Sequence, residues 1–158
     1  MKFRKPDIGH IINFNTGISS APPCRDSKIT DDKGNAPFVF GIERSSKEND
    51  AYRRAIWTGK NIQIVLMSVL PGDEIGWESH SHGDQLIIIT QGNGEIFMGE
   101  SKSSPAIRKN VGKGDAIIVP EGTLHNLKNP GREPLKIMSI YSPPAHPYGT
   151  VENTHGEQ

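Results

Sequence analysis

From Asn61 onward the chain alternates short apolar runs with turn signals and never sustains a helical period. NIQIVLMSVL (61–70) is apolar on both faces, rich in β-branched residues and stopped by Pro71-Gly72. Such a run describes a strand covered on both sides. LIIIT (86–90), EIFMG (95–99), AIRKNV (106–111), AIIVP (116–120), LHNLKN (124–129) and LKIMSIY (135–141) continue the series. Between them stand Gln91-Gly92-Asn93-Gly94, Gly112-Lys113-Gly114-Asp115, Glu121-Gly122 and Asn129-Pro130-Gly131, residue types that supply turn geometry. Short strands at this even spacing predict an all-β fold, an antiparallel sandwich or barrel. PFVFGIE (37–43) reads as a further short strand, and Ala51 to Trp57 as an exposed turn leading into another.

The flanks have a different texture. Residues 1–36 carry Asn15-Thr16-Gly17, Ala21-Pro22-Pro23 and the cluster Asp31 to Asn35, with one apolar patch at Ile11-Ile12. They predict an irregular N-terminal extension draped over the domain. Residues 37–143 form the β-domain, and residues 144–158 a proline-containing C-terminal tail, extended or loose. A chain of 158 residues suits a single domain.

Composition narrows the partners. Lys and Arg number 18, Asp and Glu 18, and the two signs are interspersed. Without a basic face there is no electrostatic footprint for nucleic acid or an anionic bilayer. The single cysteine, Cys24, excludes an intramolecular disulfide and an all-cysteine zinc site. MKFRKPDIGH lacks an apolar core of signal-peptide length, and no stretch approaches a membrane span. The expectation is a soluble, cytoplasmic protein whose partner is a small molecule.

The candidate chemistry lies in two stretches. WESHSHGDQLIIITQGNG (77–94) crowds two histidines, two acids and an amide ahead of an isoleucine-rich strand. GDAIIVPEGTLHNLKN (114–129) has the spacing G-x5-P-x-G-x2-H-x3-N. Here the chain resembles the cupins, small jelly-roll β-barrel proteins, whose second motif has that form. Gly114, Pro120, Gly122, His125 and Asn129 fill all five fixed positions; at ordinary residue usage the odds of a chance match are on the order of one in ten thousand. The first cupin motif, G-x5-H-x-H-x3,4-E-x6-G, is anchored by Gly72 and Gly92. His80 then falls on its second histidine, Glu78 on its first, and Gln85 on its glutamate. Two of the three ligand positions depart from the commonest pattern, although the exchange moves a carboxylate without deleting it.

The resemblance covers about residues 37–152. The run AYRRAIWTGKNIQIVLMSVLPGDEIG, the Glu78, His80, Asp84, Gln85 arrangement and SIYSPPAHPYGTV are similar to small bacterial cupins grouped with mannose-6-phosphate isomerases. It implies a jelly roll and a divalent metal ion (Fe, Mn or Zn) held by Glu78, His80, Gln85 and His125, with open positions for a small-molecule ligand. Glu78 and His80, two apart on an extended chain, would project from one face about 6.5–7 Å apart. It also implies a homodimer. A frame using His80 with His82 leaves no acid at the required spacing. His10, His146 and His155 are expected at the surface, Trp57, Trp77, Met67 and Met98 in the core, and Arg108-Lys109 as a solvated pair; Tyr141 belongs to the core or offers its hydroxyl to a ligand. Three functions stay open: an isomerase of sugar or small-oxoacid chemistry, a non-haem Fe(II) oxygenase, and a binder without turnover. No basic cluster adjoins the motifs apart from Lys128 and Arg132.

Overall fold

A computed structural model describes residues 28–156; His10, Ile11-Ile12, Asn15 to Gly17, Ala21 to Pro23 and Cys24 lie outside the described residues. Among the described residues one helix, α1 (Ile42–Glu48), precedes nine strands: β1 (Arg53–Thr58), β2 (Gln63–Val69), β3 (Asp84–Gln91), β4 (Asn93–Gly99), β5 (Ile107–Gly112), β6 (Ala116–Val119), β7 (Leu124–Lys128), β8 (Leu135–Ser142) and β9 (Val151–Glu152). They form two antiparallel sheets, one of six strands in the order β6-β3-β8-β2-β1-β9 and one of three in the order β5-β4-β7. The segment before β3 extends the smaller sheet through bridges from Glu74 to Lys128 and from Glu78 to His125. The strand spacing predicts such an antiparallel sandwich or barrel, and the resemblance its jelly-roll form.

Because side chains alternate across a strand, one set from each sheet meets between the two. Val65, Met67, Ile87, Ile89 and Ile137 face Ile96, Val111 and Leu127 in a single core. Each fully buried aliphatic side chain there contributes about 1.5–3 kcal/mol. Toward one end the interior row of the large sheet turns polar: Gln63, Tyr141 and Gln85 lie directly opposite one another on β2, β8 and β3. Ser139 follows one step below. That end is the mouth where the candidate residues collect.

The outer face of the large sheet is also covered. Ile56, Leu66 and Met138 pack with Ile29, and Phe38, Phe40, Ile64, Ile88 and Ile140 border the cluster. Thus β2 is apolar on both faces, as its composition indicates. Residues 37–43 are not a strand, however. Phe38 and Phe40 stack on each other with centroids 5.5 Å apart and lie against the sheet, while Val39 points to solvent. From Ile42 the chain coils into α1, which carries an Arg44–Glu48 pair one turn apart. The alternation is that of a strand, but tertiary packing replaces a ladder. Ala51 and Tyr52, expected in an exposed turn, are both 4% exposed; the Tyr52 hydroxyl donates to the Ile75 carbonyl.

Motif residues hold the loops. Asn129 donates to the carbonyls of Val69 and Glu133 and accepts from Gly131 N–H. Pro120 follows the last residue of β6, and Gly122, at φ +75 with open space around it, needs its backbone conformation and not room. Two flanking segments are stitched to the barrel and to each other. Buried Asp32 accepts from Thr58 Oγ1 at 2.6 Å and from Gly149 N–H at 3.1 Å, and its carbonyl accepts from the Tyr148 hydroxyl at 2.8 Å. The C-terminal segment is therefore not loose. After a cis Ser142–Pro143 bond it crosses the mouth and ends in β9, paired with β1.

Candidate metal centre

Glu78 and His125 exchange both backbone hydrogen bonds, 3.0 and 2.9 Å, so their side chains leave the same face as close neighbours. His80 is joined from the other side: its carbonyl accepts from Gly122 N–H at 2.8 Å, tying its loop to the turn after β6. Glu78 Oε1 then stands 3.4 Å from His125 Nε2 and 3.6 Å from His80 Nε2. The three potential ligand atoms lie within 4.8 Å of one another. Three of the four residues expected from the sequence are thus brought together from two separate segments.

Both imidazole Nε2 atoms are buried without a hydrogen-bond partner. The tautomer of His125 is set, because its Nδ1 lies 3.0 Å from the Thr123 carbonyl and donates to it. Nε2 then points to Glu78, the arrangement in which a backbone carbonyl orients a metal-ligating histidine. Burial pushes the Glu78 carboxyl up, but the two imidazoles facing it, His125 and then His80, outweigh burial and hold it down to about 2. The residues present suit a divalent ion: two nitrogens and one carboxylate, converging and otherwise unsatisfied.

Gln85 projects from β3 into the same end of the barrel and is 2% exposed. Its Nε2 donates to Ser139 Oγ at 3.3 Å, while Oε1 is buried without a partner. Tyr141, opposite Gln85, has its ring edge-on to His80 with centroids 5.3 Å apart. Its hydroxyl is buried and unpartnered, and burial raises its pKa, so the phenol stays protonated. His82 is exposed and Asp84 is occupied with the Glu121 N–H, so the alternative frame brings nothing together. Arg108 is bonded to Glu95, and Lys128 to Glu74, outside the barrel.

Two neighbours escaped the sequence reading. Arg53 of β1 places Nη2 3.8 Å from Glu78 Oε2, while its Nη1 holds Glu152 of β9 at 2.6 Å. His146, expected at the surface, packs edge-on against Tyr141 with centroids 5.1 Å apart. Its backbone N–H and carbonyl are both held by the Gln63 amide, at 3.0 and 2.9 Å. Burial, then the Arg53 charge, lower its imidazole pKa to about 4, so the ring is neutral at pH 7. The signal for it was Gln63 itself, a polar residue at an interior position of an apolar run. His155 is exposed, though it stacks on Tyr52 and bonds Asp73 at 2.7 Å. A cavity of about 580 Å³ opens between the mouth and the C-terminal segment, lined by Arg53, Glu78, His146 and Glu152 among others.

The chain is similar to known proteins. The cupin domain family matches residues 65–141. The uncharacterized protein YrkC of Bacillus subtilis is 48% identical over 126 residues, covering 80% of this chain and 68% of that protein. The chain belongs to the cupin family. Among solved cupin-fold structures, BH2720 from Bacillus halodurans shares 45% identity at a TM-score of 0.77, with 79% of this chain and 95% of that one covered. Mannose-1-phosphate guanylyltransferase RfbM of Salmonella typhimurium is 29% identical over 54% of this cupin but only 16% of its own length. Among the described residues, no helix is long and apolar enough to cross a membrane.

Proposed function

We propose that Glu78, His80 and His125 hold one divalent cation, with Gln85 Oε1 as a fourth donor, and that this cupin binds and acts on a small oxygen-bearing molecule there. The observation that carries this reading is the convergence of a carboxylate and two buried, unpartnered imidazole nitrogens within 4.8 Å. Nitrogen and hard oxygen donors with no thiolate suit Fe(II), Mn(II) or Zn(II). When bound, such an ion acts as a Lewis acid toward a ligand oxygen. The protein's own groups set the rest. Thr123 fixes the His125 tautomer, Ser139 turns the Gln85 carbonyl oxygen inward, and the Tyr141 phenol is available as a hydrogen-bond donor.

A sugar-phosphate isomerase, the chemistry suggested by resemblance, has weak support. Lys128 is bonded to Glu74, and the likeness to a mannose-1-phosphate guanylyltransferase spans 16% of that enzyme. Oxygenation is the second reading, favoured by the donor set: two histidines and one carboxylate are the ligands of non-haem Fe(II) oxygenases. Elemental analysis of the purified protein and of His125→Ala tests the centre. A stoichiometric cation in the parent, lost in a variant that still folds, is expected. Absence of metal from both forms refutes it, and iron as the native ion favours oxygenation.

A further inference from the structure

Three positions around the mouth leave hydrogen-bonding capacity that the metal centre does not use. Arg53 spends Nη1 on Glu152, yet its Nε is buried without a partner and Nη2 is 3.8 Å from the nearest Glu78 oxygen. His146 Nε2 and the Tyr141 hydroxyl are likewise buried and unpartnered. Buried polar groups are almost always paired. These atoms are shut off from bulk water and gather around one mouth, an arrangement that suits a ligand held there. Arg53, His146 and Glu78 line one cavity of about 580 Å³, within the range of small-ligand sites.

Charge indicates what that partner is. Glu78 and Glu152 against Arg53 leave the mouth one negative charge, and a divalent cation converts it to one positive charge. A site so arranged accepts a single anionic group. The Nε–Nη2 edge of Arg53, which makes only the 3.8 Å ion pair with Glu78, is a planar fork that matches a carboxylate. We infer that the natural ligand is a small hydroxy- or oxo-carboxylate, recognised at its carboxylate by Arg53 and at an adjacent oxygen by His146, under the C-terminal segment. The inference rests on the proposed cation, which supplies the charge balance.

The test uses the full-length protein loaded with zinc, its metal content measured first, and titrated calorimetrically with glycolate and with the neutral glycolamide. Glycolate should bind about tenfold or more tightly than glycolamide. Arg53→Gln should remove that preference, and Glu152→Gln, which strips a competing carboxylate from Arg53, should strengthen glycolate binding. His146→Gln should weaken both ligands alike. If Arg53 served only to pin the C-terminal segment through Glu152, the Arg53 and Glu152 variants would weaken glycolate in the same direction, which overturns the inference. Equal binding of the two ligands, or binding of neither, by metal-loaded protein overturns it as well. Failure to take up zinc is read before any ligand is added, and it overturns the metal centre together with what rests on it.

Discussion

Acidification should release the C-terminal segment at His146. In the closed state burial and Arg53 hold this imidazole down from 6.5 to about 4. Once released into water it regains its ordinary basicity. The released form therefore binds a proton more readily, and the closed form loses stability as pH falls. The contribution is fully present above the released pKa of 6.5 and is lost as pH falls through about 4. At 1.36 kcal/mol per unit, the whole shift corresponds to about 3 kcal/mol, or roughly a 300-fold rise in the released population. At pH 5.5 the loss is about 1.4 kcal/mol, roughly tenfold. Opposing it are the Gln63 bonds to Ala145 and His146, the β9 pairing and the Arg53–Glu152 ion pair, none of which needs a neutral His146. Hydrogen exchange of the Ala145 and His146 amides, corrected for intrinsic rates, reads the opening directly. Protection unchanged between pH 7 and 5.5 would refute the reasoning, as would an equal fall in His146→Gln, which cannot titrate.

Further consequences are open to measurement. Chelation should lower the melting temperature of metal-loaded protein by about 5–10 °C, the effect of removing a ligand present at roughly a hundred times its Kd from a chain of this size; His125→Ala should show no such difference. Gln63→Leu removes the clamp on the C-terminal segment, three bonds of 2.9–3.3 Å to Ala145 and His146, at a cost of about 2–3 kcal/mol. Limited proteolysis should then cut after Ser142 while the barrel stays intact. Gly83→Ala should cost roughly 3 kcal/mol or more in urea unfolding: φ is +96, and a Cβ would sit 2.1 Å from the Ser142 carbonyl oxygen.

Much of this architecture was legible because it is written locally. Runs such as LIIIT and AIIVP, each bounded by a turn signal, become β3 and β6, and the Gly114 to Asn129 spacing places His125 opposite Glu78. What failed depended on distant partners. Phe38 and Phe40 alternate like a strand, but the surface that receives them belongs to β1, β2 and β8. Seven helical residues are too few to show a period. Arg53 looks like any exposed arginine until β1 pairs with β9 and meets Glu152. His146 sits in a proline-rich stretch whose burial is decided by Gln63, eighty-three positions earlier. Local pattern thus reaches the strands and the converging ligands, whereas the groups that surround the ligands come from the closure of the fold.

Asp32 ties the two flanking segments at one carboxylate. A fragment trimmed to begin at residue 37 would lose Ile29 from its greasy outer surface and invite self-association. The same cut would free Tyr148 and Gly149 from their anchor. Recombinant versions shortened for crystallisation would then report a wider, floppier entrance than the intact polypeptide possesses.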